Sequence, residues 1–263
     1  MLKTIREFDV NGKRILVRCD FNIPLDEKGI ISYDFKIKQT LPTIKYLIEN
    51  RAKIILMSHL DNPDNSVTSN LNVIKERLES LLDIKVKKVD DCVGSEVEKE
   101  ALNLKTGEVL LLENLRFHKE EFDNDEKFAK DLSKLGEVYI NDAFAVCHRA
   151  HASVVGVPKF LPHGMGFLLQ KEVENLKKIL KNPKKPMIIL IGGKNVKTKS
   201  KFIGKISKLA DFILVNGLVK KEIINLSAQA GKNLITRHPE KLLGPADNLE
   251  APDITNETIE RLN

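Results

Sequence analysis

Arg14-Ile15-Leu16-Val17-Arg18-Cys19-Asp20-Phe21-Asn22 is the stretch on which the fold turns. Ile15, Leu16 and Val17 are consecutive apolar residues, so a strand built from them is apolar on both faces. Such a strand needs cover on both sides, the situation of a parallel strand in an α/β domain. The polar residues gather behind it, at the end where open α/β sheets bind ligands.

The same pattern recurs along the chain. Strands are expected at Arg14–Arg18, Lys53–Met57, Lys85–Val89, Glu108–Leu112, Glu137–Ile140, Met187–Ile191, Phe212–Val215 and Asn233–Thr236. Amphipathic stretches separate them. In Leu71–Leu82, Leu71, Ile74, Leu78, Leu81 and Leu82 recur at helical spacing, with Thr68, Ser69 or Asn70 available as a cap. The fold class is α/β. Pro158, Pro162, Gly164 and Gly166 precede a long helical stretch, Phe167–Lys181, which Pro183 and Pro186 close, so a domain boundary is expected between Phe160 and Pro186.

Composition narrows the functional classes. The 263 residues are 42% hydrophobic and 30% charged, enough to bury a core and one or two domains in length. Net charge is −2 over residues 1–165 and +8 over residues 166–263, which suggests different partners for the two regions. No apolar run reaches the length of about 18 residues that a membrane helix needs, and the first residues lack the apolar core of a signal peptide. A cytoplasmic protein is expected. Cys19, Cys92 and Cys147 are odd in number and scattered, which favours neither a disulfide framework nor a zinc site. Without tryptophan, and with few aromatics on offer for base stacking, the chain is not expected to bind nucleic acid.

Polar residues cluster after the expected strands: Arg18, Asp20 and Asn22; Ser58 and His59; Glu113, Asn114, Arg116 and His118; Asn141, Asp142, His148, Arg149 and His151. Arg18, Arg116 and Arg149 are three of only nine arginines. Singly, each suits a structural ion pair. Together, three planar guanidiniums point to a small anionic ligand such as a phosphate or carboxylate. His148 and His151 could meet on one helix face, but no further ligand spacing completes a metal site, and none is expected. In the second half, Gly192-Gly193-Lys194 follows a strand, and eleven lysines and no acid lie between Asn175 and Ala210. These residues alone leave open a backbone phosphate site or a solvated lysine-rich face.

Several of these motifs occur together in one family. Leu16-Val17-Arg18-Cys19-Asp20-Phe21-Asn22-Ile23-Pro24, Ile55-Leu56-Met57-Ser58-His59-Leu60, Leu111-Leu112-Glu113-Asn114-Leu115-Arg116-Phe117-His118 and Asn141-Asp142-Ala143-Phe144, running on to His148-Arg149-Ala150-His151, resemble phosphoglycerate kinase. The resemblance implies two doubly wound, Rossmann-like domains. A phosphoglycerate-binding domain is expected over 1–165, a hinge helix and linker over 166–185, and a shortened nucleotide-binding domain over 186–263.

By the same resemblance, Asp20, Phe21, Asn22, Lys36, His59, Leu60, Asp61, Asn62, Arg116 and Arg149 bind 3-phosphoglycerate. Lys36 and Arg149 take catalytic roles, while Gly192, Gly193 and Lys199 meet Mg-ATP or Mg-ADP. The implied reaction is the glycolytic phosphoryl transfer between 1,3-bisphosphoglycerate and ADP. Lys36 stands where the family has a catalytic arginine, Asp61-Asn62 replaces Gly-Arg, and Asn195 replaces a lysine. The chain stops at Asn263, before the family's later nucleotide loops. Impaired or lost activity is therefore expected, the alternative being a non-catalytic relative that acts as an acidic-metabolite-binding or interaction protein. The family is typically monomeric, and self-association through the shortened domain is the other expectation for partners.

Overall fold

The structure is a computed structural model that describes residues 3–60, 70–192, 202–216 and 219–221, with a short strand at Leu242–Leu243. The expected strand at Asn233–Thr236, and Asp61, Asn62, Gly193, Asn195 and Lys199, lie outside the described residues. Cα packing divides the chain into Met1–Glu174 and Asn175–Asn263.

In the first unit, strands β1 (Arg14–Arg18), β2 (Lys53–Met57), β3 (Val86–Lys88), β4 (Val109–Leu111), β5 (Val138–Asn141) and β6 (His163–Met165) form one sheet in the order β3-β4-β2-β1-β5-β6. Every pairing is parallel. The pleat distributes the apolar runs between two cores. Ile15, Val17, Ile54, Leu56, Val109, Leu111, Val138 and Ile140 face one, where helices α1 (Phe35–Glu49) and α2 (Asn72–Leu82) supply Ile37, Ile44, Leu47, Ile74 and Leu78. Leu16, Ile55, Met57, Leu110, Leu112 and Tyr139 face the other, met by Val97 and Ala101 from α3 (Ser95–Leu102) and, past α4 (Lys119–Phe122), by Phe128, Ala129 and Leu132 from α5 (Glu126–Ser133). Burial on both faces is thus the direct consequence of runs such as Ile15-Leu16-Val17.

β1 and β2 have the expected bounds, as does α6 (Phe167–Lys181). At the start of α2, Asn70 Oδ1 accepts from Asn72 N–H at 3.0 Å, although Leu71 occupies the cap position itself. β6 falls in the stretch expected to be a connection. Its glycine is a matter of close approach: a Cβ on Gly164 would lie 2.5 Å from the Phe8 ring and 2.8 Å from the Lys3 carbonyl. The segment pairs at the sheet edge because the N-terminal residues press against it, with Met165 N–H donating to Lys3 O at 2.8 Å.

In the second unit, β7 (Ile188–Ile191), β8 (Phe212–Val215) and β9 (Leu242–Leu243) pair in that order, all parallel. Ile191, Ile203, Ile206, Ala210, Ile213 and Val215 form a small core. The opposite side of β7 differs from the expected two-sided burial, since Ile188 is 52% and Leu190 69% exposed. No helix among the described residues is long and apolar enough to cross a membrane.

Candidate functional site

The chain leaves β1 toward β2 on one side and later returns to β1's other side with β5. The crevice beyond the carboxyl ends of β1 and β5 is therefore a topological switch point, where such sheets bind ligands. Arg18 ends β1 there, in register with Met57 of β2 and Asn141 of β5.

Arg18 is 1% exposed. Its Nε donates to Ser153 Oγ at 2.9 Å, its Nη1 to the Cys19 carbonyl, and its Nη2 lies 3.1 Å from His59 Nδ1. Ser153 in turn donates from Oγ to Glu121 Oε1 at 2.6 Å and from its backbone N–H to Oε2 at 2.8 Å. Burial pushes the Glu121 carboxyl up, while Arg18 and the two Ser153 bonds pull it back.

Around Arg18 stand the other expected residues. Asp20, buried just past β1, pairs with Lys36 Nζ from the first turn of α1 at 3.0 Å. Asp20 Oδ1 also accepts from Asn22 N–H at 3.2 Å, closing the turn after the strand. Phe21 places its side chain in the core, and its N–H donates to Ser58 Oγ at 2.9 Å. His59 and Leu60 are buried after β2, and Asn114 clamps Leu60 through both its N–H and its carbonyl. Arg116 sits in the 3-10 turn Leu115–Phe117 over the Phe122 ring, 5.5 Å from its centroid, and Asn114 caps that turn. Arg149 is exposed in the turn beyond β5.

The cations act on one another. Burial and then Arg18, Arg116, Lys36 and Arg149 push His59 down to about 2, so it is neutral at pH 7. Burial, Arg149 and Arg18 lower Arg116, with Glu121 and Asp20 opposing. Arg18, Arg116 and Arg149 thus converge on one locus. A cavity of about 350 Å³ opens beside it, lined by Asp20, Phe35, Lys36, Gln39, Phe144 and Lys171 among others.

His148 and His151 do not share a helix face. Residues 147–149 form a turn, His148 is exposed, and His151 is buried with Nδ1 3.7 Å from Glu121 Oε1. Three residues with metal-ligand chemistry do come together elsewhere: Asp91, Cys92 and His118. Their atoms are already engaged, since His118 Nε2 bonds Asp91 Oδ1 at 2.6 Å and the buried Cys92 thiol donates to the Glu113 carbonyl at 3.0 Å. Glu121 and Ser153 are the site residues that sequence reasoning missed. Glu121 reads as part of the solvated run Lys119-Glu120-Glu121, whereas Ser153 ends the motif His148-Arg149-Ala150-His151-Ala152-Ser153, the one signal that could have pointed to it.

For a Mg-nucleotide, the described residues offer Gly192 just beyond β7 and Asn216 just beyond β8. Asp211 is held by Lys185 Nζ at 2.9 Å and by Met187 N–H at 2.6 Å, and Asn216 Oδ1 accepts from Val219 N–H. The described residues do not make up a set fitted to hold the metal and phosphates.

The family model for phosphoglycerate kinase matches residues 5–252. The phosphoglycerate kinase of Moorella thermoacetica is 47% identical over 235 residues, covering 88% of this chain and 60% of that protein. That of Aquifex aeolicus is 48% identical over 217 residues, covering 82% and 55%. The crystal structure of phosphoglycerate kinase from Pyrococcus horikoshii superposes with a TM-score of 0.87 at 28% identity, over 99% of this chain and 77% of that one. The Coxiella burnetii structure gives 0.72 at 30% identity, over 86% and 57%. The chain therefore spans about 60% of the length of the curated relatives it matches.

Proposed function

The chain belongs to the phosphoglycerate kinase family, and from that premise we propose that its first unit binds 3-phosphoglycerate in the crevice beyond β1 and β5. The observation that carries this reading is the bonding of Arg18. All its named partners are neutral: a serine hydroxyl, a backbone carbonyl and an imidazole. A buried guanidinium without a directly bound carboxylate keeps its field available to an incoming anion. Arg116, Arg149 and Lys36 add to that field, and Asp20 and Glu121 are the carboxylates set against it.

Phosphoryl transfer between 1,3-bisphosphoglycerate and ADP is the reaction this reading assigns to the lineage, in a cytoplasmic, glycolytic setting with Mg-ATP or Mg-ADP as the partner nucleotide. In this chain the transfer is impaired. Such chemistry depends on positioning and charge neutralisation. Lys36 lacks the planar fork of an arginine, and its ammonium is held by Asp20 at 3.0 Å. The competing reading, a non-catalytic acidic-metabolite binder, draws on that same ion pair.

Calorimetric titration with 3-phosphoglycerate, with Mg-ADP titrated beside it, tests the proposal. We expect saturable 3-phosphoglycerate binding at sub-millimolar to millimolar concentration that is weakened by Arg149→Ala. No heat at millimolar ligand, or binding indifferent to Arg149→Ala, overturns it.

A further inference from the structure

We propose that Arg18 is a positioning residue that locks His59 in the neutral Nε2–H tautomer, so that His59 meets the ligand as an uncharged N–H donor and not as one more cation. Donor direction fixes the tautomer. A guanidinium has only donors and no acceptor. The Nη2 group of Arg18 lies 3.1 Å from His59 Nδ1, with both residues buried, so Nδ1 must be the acceptor. The ring's one proton then resides on Nε2.

The same logic fixes what lies behind Arg18. Its Nε must donate to Ser153 Oγ, which leaves the serine proton for Glu121 Oε1, while the Ser153 backbone N–H fills Oε2. Glu121, 1% exposed, is therefore the acceptor at the end of a row in which Arg18 donates in both directions, to His59 on one side and to Ser153 and so toward Glu121 on the other. The two bonds that Arg18 donates cannot reverse, because a guanidinium has no acceptor. The charged groups facing His59 are Arg18 from β1, Lys36 from α1, Arg116 from the turn after β4 and Arg149 from the turn after β5. All of them oppose a second proton on the ring.

That His59 contacts ligand rests on the binding reading above, whereas the tautomer does not, and the test separates the two. Long-range 15N–1H correlation spectra of the full chain labelled in histidine, with His59 assigned from His59→Gln, should show the Nε2–H pattern unchanged from pH 5.5 to 8.5 without ligand. Titration of His59 in that window, or an Nδ1–H pattern, overturns the proposal. Arg18→Met removes the donor, and a Nδ1–H population should then appear, the ring staying neutral because burial, Arg116, Lys36 and Arg149 still oppose a second proton. Since Arg18→Met also removes a buried structural anchor, Ser153→Ala serves as the second variant. Losing the Nε anchor should bring a measurable Nδ1–H population, and an unaltered spectrum overturns the relay. With 3-phosphoglycerate, the affinity lost on His59→Gln should be the same fold-change at pH 6 and pH 8, since ligand ionisation is common to both chains. A loss more than about threefold greater at pH 6 marks a cationic His59 and overturns the proposal. If the parent binds no 3-phosphoglycerate at all, the binding reading falls and the spectra alone decide the tautomer.

Discussion

Asp142→Asn should stabilise the first unit at neutral pH and leave it unchanged in acid. Asp142 follows β5, is 0% exposed, and its Oδ1 accepts from Leu168 and Leu169 N–H at 2.9 and 3.2 Å, in the first turn of α6. Gly166 backs directly onto the carboxylate, with no room for a Cβ. Burial raises the carboxyl from 3.8 to about 6, against the pull of Thr43 and the two backbone donors. A folded value above the unfolded one means that the folded state holds the proton more tightly. The stability this contributes is complete below pH 3.8 and lost as pH rises through 6. A shift of about 2 units corresponds to about 3 kcal/mol.

Asparagine keeps the carbonyl acceptor and never ionises. The stability of Asp142→Asn minus that of the parent should therefore be near zero at pH 4 and climb toward about 3 kcal/mol by pH 7.5, with other titrations cancelling. Urea unfolding followed by tyrosine fluorescence suits the measurement, because all three tyrosines (Tyr33, Tyr46 and Tyr139) lie in the first unit and the chain has no tryptophan. A flat difference curve, or a variant less stable than the parent at pH 7.5, refutes the reasoning.

Arg149→Ala, at an exposed position, should weaken 3-phosphoglycerate about 10- to 100-fold by calorimetry, the worth of one charge-assisted bond, without moving the urea midpoint. Gly136→Ala should cost about 1–3 kcal/mol in the same unfolding assay, since its Cβ would sit 2.8 Å from Leu16 Cβ at the sheet. Amides of β7 should exchange with deuterium faster than those of β1, whose residues Ile15, Leu16 and Val17 are 0% exposed while Ile188 and Leu190 are 52% and 69% exposed. In a coupled assay free of host kinase, Lys36→Arg with Asn62→Arg should not restore turnover to within tenfold of an ordinary family member.

The first sheet was legible because its strands carry their own instructions. Ile15-Leu16-Val17 and Ile54-Ile55-Leu56-Met57 have no polar face to leave in water, so their burial and parallel pairing follow from the sequence. β6 was hidden because Gly164, which ordinarily breaks a strand, is there to admit Phe8 and the Lys3 carbonyl, and those contacts are distant in sequence. Half the site was legible in the same way, since Arg18, Asp20, His59 and Arg116 follow apolar runs directly. Glu121 was not, because one charged residue in an acidic run looks solvated until Ser153, far along the chain, turns up against both its carboxylate oxygens. His148 and His151 were misread because a spacing of three implies one face only inside a helix, and this segment is a turn.

The other arginines differ from Arg18, the one we propose is kept for a ligand, in how they are held. Arg77 directs Nε and Nη2 at the same Asp34 oxygen, and Arg14 lies 3.9 Å from Glu137 while donating to the Leu135 carbonyl. Arg6 spreads over the rings of Tyr46 and Phe167. Each of these is settled by a neighbour that fixes the local fold. Arg18 is more deeply buried than any of them, yet the carboxylate that balances it, Glu121, is kept one residue away behind Ser153. That spacing holds the guanidinium's orientation while leaving most of its charge uncancelled at the mouth of β1, and the neutral His59 beside it adds a donor without further repulsion. On the proposed reading, such a site would recognise an anion by charge from the arginines and by direction from the imidazole, and a single substitution in the row behind Arg18 would disturb both at once.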